Sequence, residues 1–236
     1  MSDNPFIIET HDLERIYKSG TREVHALNGV NLKIQAGHFI ALKGRSGSGK
    51  TTLLNCLSGL DRPTTGSVEV SGRDLAKMDE NALTEWRRKE VGFIFQSFGL
   101  IPTLSAYENV ELMLRIAGTP GRDRNKRTLY VLNLMGLTKW IHHRPYELSG
   151  GQQQRVAIAR ALVTEPAVIF ADEPTGNLDS SRSHEIMKLL DELNRTRHIT
   201  IVLVTHEEDI AAYARRQIRF RDGRIASDEP TQKGAA

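Results

Sequence analysis

Apolar positions along this chain fall into short blocks, and their spacing switches between two residues and three or four. Phe6-Ile7-Ile8 and Leu13 to Tyr17 read as short strands, and Val30, Leu32 and Ile34 alternate with polar neighbours as a half-buried strand does. His38 to Lys43 is a more continuous apolar strand that runs straight into a glycine-rich loop. Beyond the loop, Thr51 to Leu60 has helical spacing, with Gly59 as a C-terminal stop. Val68 and Val70, flanked by Thr65-Gly66 and Ser71-Gly72, predict a further strand. Ala82 to Arg88 predicts a helix and Val91 to Phe95 a buried strand.

The segment from about 97 to 160 reads as mainly helical. Ala106 to Ala117, Asn125 to Met135 and Gln152 to Leu162 carry apolar residues at three- and four-residue spacing. The basic run Arg122 to Arg127 follows Thr119-Pro120-Gly121 and is read as a solvated loop. Two apolar strands come next, over 167–171 and 200–204, with a helix from about Ser183 to Asn194 between them. Ile218 and Phe220 alternate into the turn Asp222-Gly223, which predicts a hairpin with Arg224-Ile225, and Asp228 to Ala236 reads as a disordered tail. Strands alternating with helices imply an α/β fold with a mostly parallel sheet. The expected organisation is one domain over 1–236: a core over about 1–96 and 161–225 with an N-terminal antiparallel β portion, an inserted α-helical subdomain over about 97–160, and a short tail over 226–236.

Composition narrows the class. A chain of 236 residues, 39% hydrophobic and 26% charged, suits a globular protein with a sizeable core. No apolar run approaches the roughly 20 residues of a membrane-spanning helix, and Met1-Ser2-Asp3-Asn4-Pro5 does not resemble a secretory leader. The lone Cys56 lies among Leu53, Leu54 and Leu57, as a small buried hydrophobe does, and it excludes a disulfide framework within the chain, which points to a cytosolic setting. The net charge is only +3 and the basic residues are not striped with aromatics, so no nucleic-acid partner is expected.

The chemistry is concentrated in a few loops. Gly44-Arg45-Ser46-Gly47-Ser48-Gly49-Lys50-Thr51, followed by Thr52, matches the P-loop pattern between a strand and a helix, which makes the core that of a P-loop NTPase. Its glycines let backbone N–H groups converge on phosphates, Lys50 neutralises the β- and γ-phosphates, and the Thr51 hydroxyl suits Mg²⁺. The strand Val168 to Ala171 ends in Asp172 and Glu173: the first is placed to reach Mg²⁺ through water, the second to orient or deprotonate the attacking water. Ile201 to Thr205 repeats that design and delivers His206 to the same edge, within reach of a γ-phosphate. Gln96 ends a third strand, and its amide suits the Mg²⁺ or the water once the helical segment closes. Tyr17 serves either as a base-stacking aromatic or as a partly buried strand residue. Adjacent His142 and His143 lack metal-ligand spacing. Leu148-Ser149-Gly150-Gly151-Gln152 opens a helical run and offers a hydroxyl and backbone N–H groups to phosphate, far from the P-loop in sequence.

With these residues assembled, the chain resembles the ATP-binding-cassette (ABC) ATPases over nearly its whole length. Leu148 to Gln152 is similar to the family's signature motif. The resemblance implies an ATPase that uses ATP and Mg²⁺, and a head-to-tail dimer of two copies with two ATP molecules held between P-loop and signature motif. It implies Tyr17 as the adenine-stacking aromatic, Gln96 as the Q-loop glutamine, Asp172 and Glu173 as Walker B, Asp179 as the D-loop aspartate and His206 as the switch histidine. The run Gly176-Asn177-Leu178-Asp179 differs from the commoner Ser-Ala-Leu-Asp form. That variant, with Gly92-Phe93-Ile94-Phe95-Gln96 and Leu104-Ser105-Ala106-Tyr107-Glu108-Asn109-Val110, is similar to the lipoprotein-releasing and macrolide-exporter subfamily.

Such a resemblance implies an energy-coupling subunit that drives a permease on a separate chain and sits peripherally at the cytoplasmic face of the inner membrane. A mechanical regulator of cell-envelope enzymes and a subunit of amino-acid-importer type stay open as alternatives. A ribosome- or DNA-directed ABC ATPase fits less well, because the chain has one P-loop, one signature motif and no inserted module. Phe98, Leu100 and Ile101 form either a groove for a permease helix or ordinary packing within the helical segment.

Overall fold

The structure, a computed structural model, describes residues 5–231. The reading of Met1 to Asn4 and the end of the predicted tail, 232–236, lie outside the described residues. β1 (Phe6–Ser19) and β2 (Arg22–Gln35) make a long antiparallel pair, and β3 (Phe39–Lys43) then enters the interior with every residue buried. The two short strands expected at the start are thus one. Register shifts between Thr10 and Leu13 and again before Arg15 interrupt the alternation in sequence, and Asp12 takes a positive φ of 43° there. β4 (Thr65–Val70) and β5 (Arg73–Asp74) complete a four-stranded antiparallel sheet in the order β2-β1-β4-β5.

The central sheet takes β6 (Val91–Phe95), β7 (Val168–Asp172), β8 (Thr200–Thr205), β9 (Arg216–Arg221) and β10 (Arg224–Pro230) around β3, in the order β10-β9-β3-β8-β7-β6. All its pairings are parallel except the closing hairpin of β9 and β10. Both faces of the parallel strands are covered, so β3, β7 and β8 read as nearly unbroken apolar runs. In the register, Lys43 pairs with Thr205, Asp172 with Val204 and Phe95 with Asp172. The C-terminal ends of four strands therefore meet at one edge, the place where open α/β sheets hold their ligands.

Helices α1 (Lys50–Leu57) and α2 (Glu80–Glu90) lie with the first part of the chain. α3 (Ala106–Ile116), α4 (Gly121–Leu134) and α5 (Gly150–Leu162) make up most of the 97–160 segment. α6 (Ser180–Arg197) and the short α7 (Glu208–Ala211), which the spacing did not predict, finish the set. One apolar cluster joins Val110, Leu114 and Leu132 of the helical segment to Phe39, Ile94 and Ile169 of the sheet. At Gly92 α5 comes so close to β6 that a Cβ there would stand 2.5 Å from the Ala161 carbonyl oxygen.

Two further expectations are corrected. The basic run Arg122 to Arg127 is not a loop but the start of α4, with Pro120 in the N-cap position. Pro120 lacks only an N–H that a helix start leaves unpaired anyway. Buried Glu111 on α3 draws the run in, because its carboxylate accepts from Arg124 Nε at 3.0 Å and from Arg115 Nε at 2.9 Å. At the other end, the predicted tail from 226 is strand as far as Pro230. Arg216 grips Asp228 through two bonds, of 2.7 and 2.5 Å, so residues polar enough to look disordered are held by pairing to a neighbour.

Candidate nucleotide site

The P-loop leaves β3 and turns into α1 under tight constraints. A Cβ on Gly44 would stand 2.4 Å from the Phe220 carbonyl oxygen, and one on Gly49 would stand 2.3 Å from that of Ala26; both take positive φ. Only glycine fits. Gly49 caps α1 with no side-chain bond, which leaves the first-turn N–H groups available to an anion. Lys50 is buried and its Nζ donates to the Gly44 and Arg45 carbonyl oxygens, at 2.9 Å each. Burial lowers its pKa, against the pull of Glu173 and Asp172. Ser48 Oγ is buried with no hydrogen-bond partner, while Arg45 and Ser46 are exposed at the loop's outer turn. A cleft of about 760 Å³ opens along Gly44 to Ser48 and is walled by His206, Glu208 and Arg219 to Asp222; its lining includes neither Thr51, Asp172 nor Tyr17, so it marks the outer turn of the loop rather than a whole nucleotide site.

The carboxylates arrive from β7. Thr51 Oγ1 donates to Asp172 Oδ1 at 3.3 Å, so the hydroxyl and carboxylate expected around Mg²⁺ are already adjacent. Burial raises the pKa of Asp172, the cost of taking a carboxylate out of water. Among the described residues no three His, Cys, Asp or Glu side chains gather as a metal cage. A hard ion held by one hydroxyl, one carboxylate through water, and substrate phosphates suits this donor set, and the fit is good for Mg²⁺. Glu173 takes φ of 45°, in a region few non-glycine residues adopt. Its N–H donates to the Val204 carbonyl oxygen at 2.9 Å, and its Oε1 lies 3.1 Å from His206 Nδ1. Gln96 lies beside the same loop: a Cβ on Gly176 would meet its Nε2 at 2.6 Å, and Asn177 Nδ2 donates to its carbonyl oxygen at 2.9 Å.

The structure thus gathers the P-loop with Asp172, Glu173, His206 and Gln96. The Ser149-to-Gln152 step stands elsewhere. Ser149 caps α5, accepting from Gln152 N at 3.3 Å, while its own N–H donates to Gln152 Oε1 at 2.9 Å. Ser149 is exposed, and the nearest neighbours of a Cβ on Gly150 or Gly151 would be Leu178, Phe98 and Arg182 rather than the P-loop. Asp179 caps α6 and accepts from Arg182 N at 3.0 Å. Tyr17 is 38% exposed on β1, with its hydroxyl donating to Asp61 at 2.5 Å, and Thr52 is half-buried on α1. Leu100 packs against the main apolar cluster, whereas Phe95 and Ile101 stay exposed.

Sequence reading missed several residues that shape this site. Lys43, buried at the end of β3, pairs with Glu208 at the start of α7 and donates to Gln217 Oε1 at 3.1 Å. Buried Gln154 on α5 donates to the Pro174 carbonyl oxygen at 2.6 Å, linking the signature helix to the loop after Glu173. Arg15 and Asp61 flank Tyr17. Each joins positions far apart in the chain, and no local pattern announces them.

The ABC transporter family profile matches residues 27–176. A macrolide export ATP-binding/permease protein, MacB, of Hyphomonas neptunium is 47% identical over 98% of this chain and 36% of its own length. A pyoverdine export ATP-binding/permease protein, PvdT, of Pseudomonas aeruginosa is 48% identical over 98% of this chain and 35% of its own length. The chain therefore spans about a third of the curated relatives it matches. A dimeric post-hydrolysis structure of the ATP-binding cassette MJ0796 bound to ADP and Pi superposes with a TM-score of 0.87 at 42% identity, covering 95% of this chain and 99% of that one. A second dimeric MJ0796 structure gives 0.88 at 43%, with the same coverage. The chain belongs to the ABC transporter family, as an ATP-hydrolysing cassette.

Proposed function

We propose that two copies close head to tail around two ATP molecules, each copy's Ser149 to Gln152 completing the other's P-loop. The observation that carries this is placement: Ser149 is exposed, and the neighbours of Gly150 and Gly151 are Leu178, Phe98 and Arg182, not the P-loop of their own chain. In the closed site, the N–H groups from Gly44 to Thr52 and the Lys50 ammonium hold the β- and γ-phosphates. Mg²⁺ would be held by Thr51, by Gln96 and, through water, by Asp172, and would supply positive charge to the same phosphates. Glu173 takes a proton from the water as its oxygen bonds to the γ-phosphorus and the bond to the β–γ bridging oxygen breaks. His206 is in place to hold the γ-phosphate and, through its 3.1 Å contact, the Glu173 carboxylate. Asp179 lies at the D-loop turn, where it would meet the other copy. Glu173→Gln should trap an ATP-dependent dimer on size exclusion, and Ser149→Arg added to it should abolish that dimer. Trapping that survives Ser149→Arg would rule out the shared site.

The cassette would drive a permease of the lipoprotein-release or macrolide-export type, from the cytoplasmic face of the inner membrane, with the 97–160 segment as lever. The motif wording supports this, and so do relatives whose names join ATP-binding and permease functions. Among the described residues no helix is long and apolar enough to cross a membrane. The same coupling would serve whether the permease is a separate chain or continuous with this one. Of Phe98, Leu100 and Ile101, exposed Ile101 suits the permease contact, Phe98 is half-buried, and Leu100 is taken up by packing. Ile101→Asp should leave the ATPase of the cassette intact and abolish its stimulation by the co-purified permease; loss of both would make Ile101 core.

A further inference from the structure

Beside Tyr17 stand two side chains, Arg15 and Asp61, that none of the sequence motifs names. Asp61 lies just past α1, and Arg15 lies on β1, close to Tyr17. Arg15 Nε donates to Asp61 Oδ2 at 2.9 Å, and Arg15 Nη2 stands 2.8 Å from Asp61 Oδ1, a fork-to-fork pair. Tyr17 Oη donates to the same Oδ2 at 2.5 Å. The Arg15 guanidinium carbon lies 4.5 Å from the centroid of the Tyr17 ring, close enough for a cation–π contact on that face. Asp61 is itself fixed: its N–H donates to the Asn55 carbonyl oxygen at 3.1 Å, within the P-loop helix, and its Oδ1 accepts from Arg62 N at 2.8 Å. The pair is partly buried, with side-chain exposures of 24% and 21%, so it is less screened than an ordinary surface ion pair.

We propose that Asp61 and Arg15 are positioning residues for the purine base of ATP. They pin the Tyr17 ring at its hydroxyl and on one face, so that the other face is presented to the base. Val24, directly across from Tyr17 in the β1–β2 register and 47% exposed, extends the same shelf, since cross-strand partners project to one side of a sheet. A base stacking on a ring held this way need not order it first, which strengthens binding without adding a contact. Because Asp61 is fastened to the helix that begins at Lys50, base and phosphates are registered on one rigid element. The proposal rests on the stacking role of Tyr17.

The test uses equilibrium titration with two probes, Mg-ATP and Mg-tripolyphosphate, which shares the phosphates but has no base. Tyr17→Ala should weaken ATP about tenfold, the order of a lost base–aromatic stack. Asp61→Asn, which keeps the shape and removes the charge that draws in both Arg15 and Tyr17, should weaken ATP roughly three- to tenfold. Both variants should bind tripolyphosphate as the parent does. Unchanged ATP affinity in Asp61→Asn, beside a loss in Tyr17→Ala, would overturn the positioning role and leave the stacking role standing. No loss in Tyr17→Ala would overturn both. An equal loss for the two probes in Asp61→Asn would assign Asp61 to the support of α1 alone.

Discussion

At the scale of single residues, the proposed mechanism separates groups that bind from groups that react. Lys50 donates into the curve of its own loop, so it is preset for an anion rather than recruited by one. Lys50→Ala should therefore weaken nucleotide binding itself, read as a raised Kd for ATP. Glu173 is held at a positive φ with its carboxylate on His206, an arrangement whose strain makes sense if aim matters more than comfort. Glu173→Gln should keep ATP affinity and lose about 10²- to 10⁴-fold in turnover, the usual share of a general base; retention of most turnover would exclude that role. Asp172 offers a stability test with a definite sign. Its folded pKa is raised by burial, so the folded state loses stability as pH climbs from the ordinary aspartate value to the raised one. Asp172→Asn escapes that loss. The nucleotide-free variant should melt higher than its parent, by a margin that grows across that pH window and then levels off, while Mg-dependent hydrolysis fails.

At the scale of elements, legibility followed locality. The P-loop, the carboxylate strand and the His206 strand were readable because strand, turn and chemistry occupy consecutive residues, and the sheet register then brings them together. The capping box at Ser149 is local too, so the start of α5 was legible to within two residues. By contrast, Arg122 to Arg127 was misread because its partner Glu111 lies on another helix, and the end of β10 because Asp228 answers to Arg216 on β9. The pair of Lys43 and Glu208 is hidden in the same way. Lys43 Nζ sits at the end of the strand that launches the P-loop, and Glu208 sits two residues past His206. Glu208→Ala would leave a buried ammonium without its carboxylate, held by Gln217, and should cost about 1–3 kcal/mol in denaturant unfolding. Lys43→Met fills the space without the charge and leaves exposed Glu208 to solvent and Arg219, so it should be near neutral. Equal losses in the two variants would mean that the pair, not the buried charge, sets the stability.

At the scale of the whole molecule, the P-loop edge and the Ser149-to-Gln152 step are separate places on one chain, and the proposal makes them two half-sites. The P-loop edge gathers Asp172, Glu173, His206 and Gln96, while Ser149 stands exposed at the head of α5. Buried Gln154 joins that helix to the loop after Glu173, which gives the signature step of the proposal a direct tie to the carboxylate proposed as the base in the same chain. A site completed by a second copy would thus report on its own partner as well. Mixing two inactive subunits decides whether sites are shared. Lys50→Ala damages a P-loop and spares a signature; Ser149→Arg does the reverse. In their heterodimer one site would hold both lesions and the other none, and an equimolar mixture should regain about a quarter of the parent rate if each site turns over alone. If instead both sites must fire together, Glu173→Gln added to each subunit gives a second reading: the mixture should trap dimers holding one ATP apiece. A mixture that neither hydrolyses above the sum of its parts nor traps a dimer would mean that each chain completes its own site.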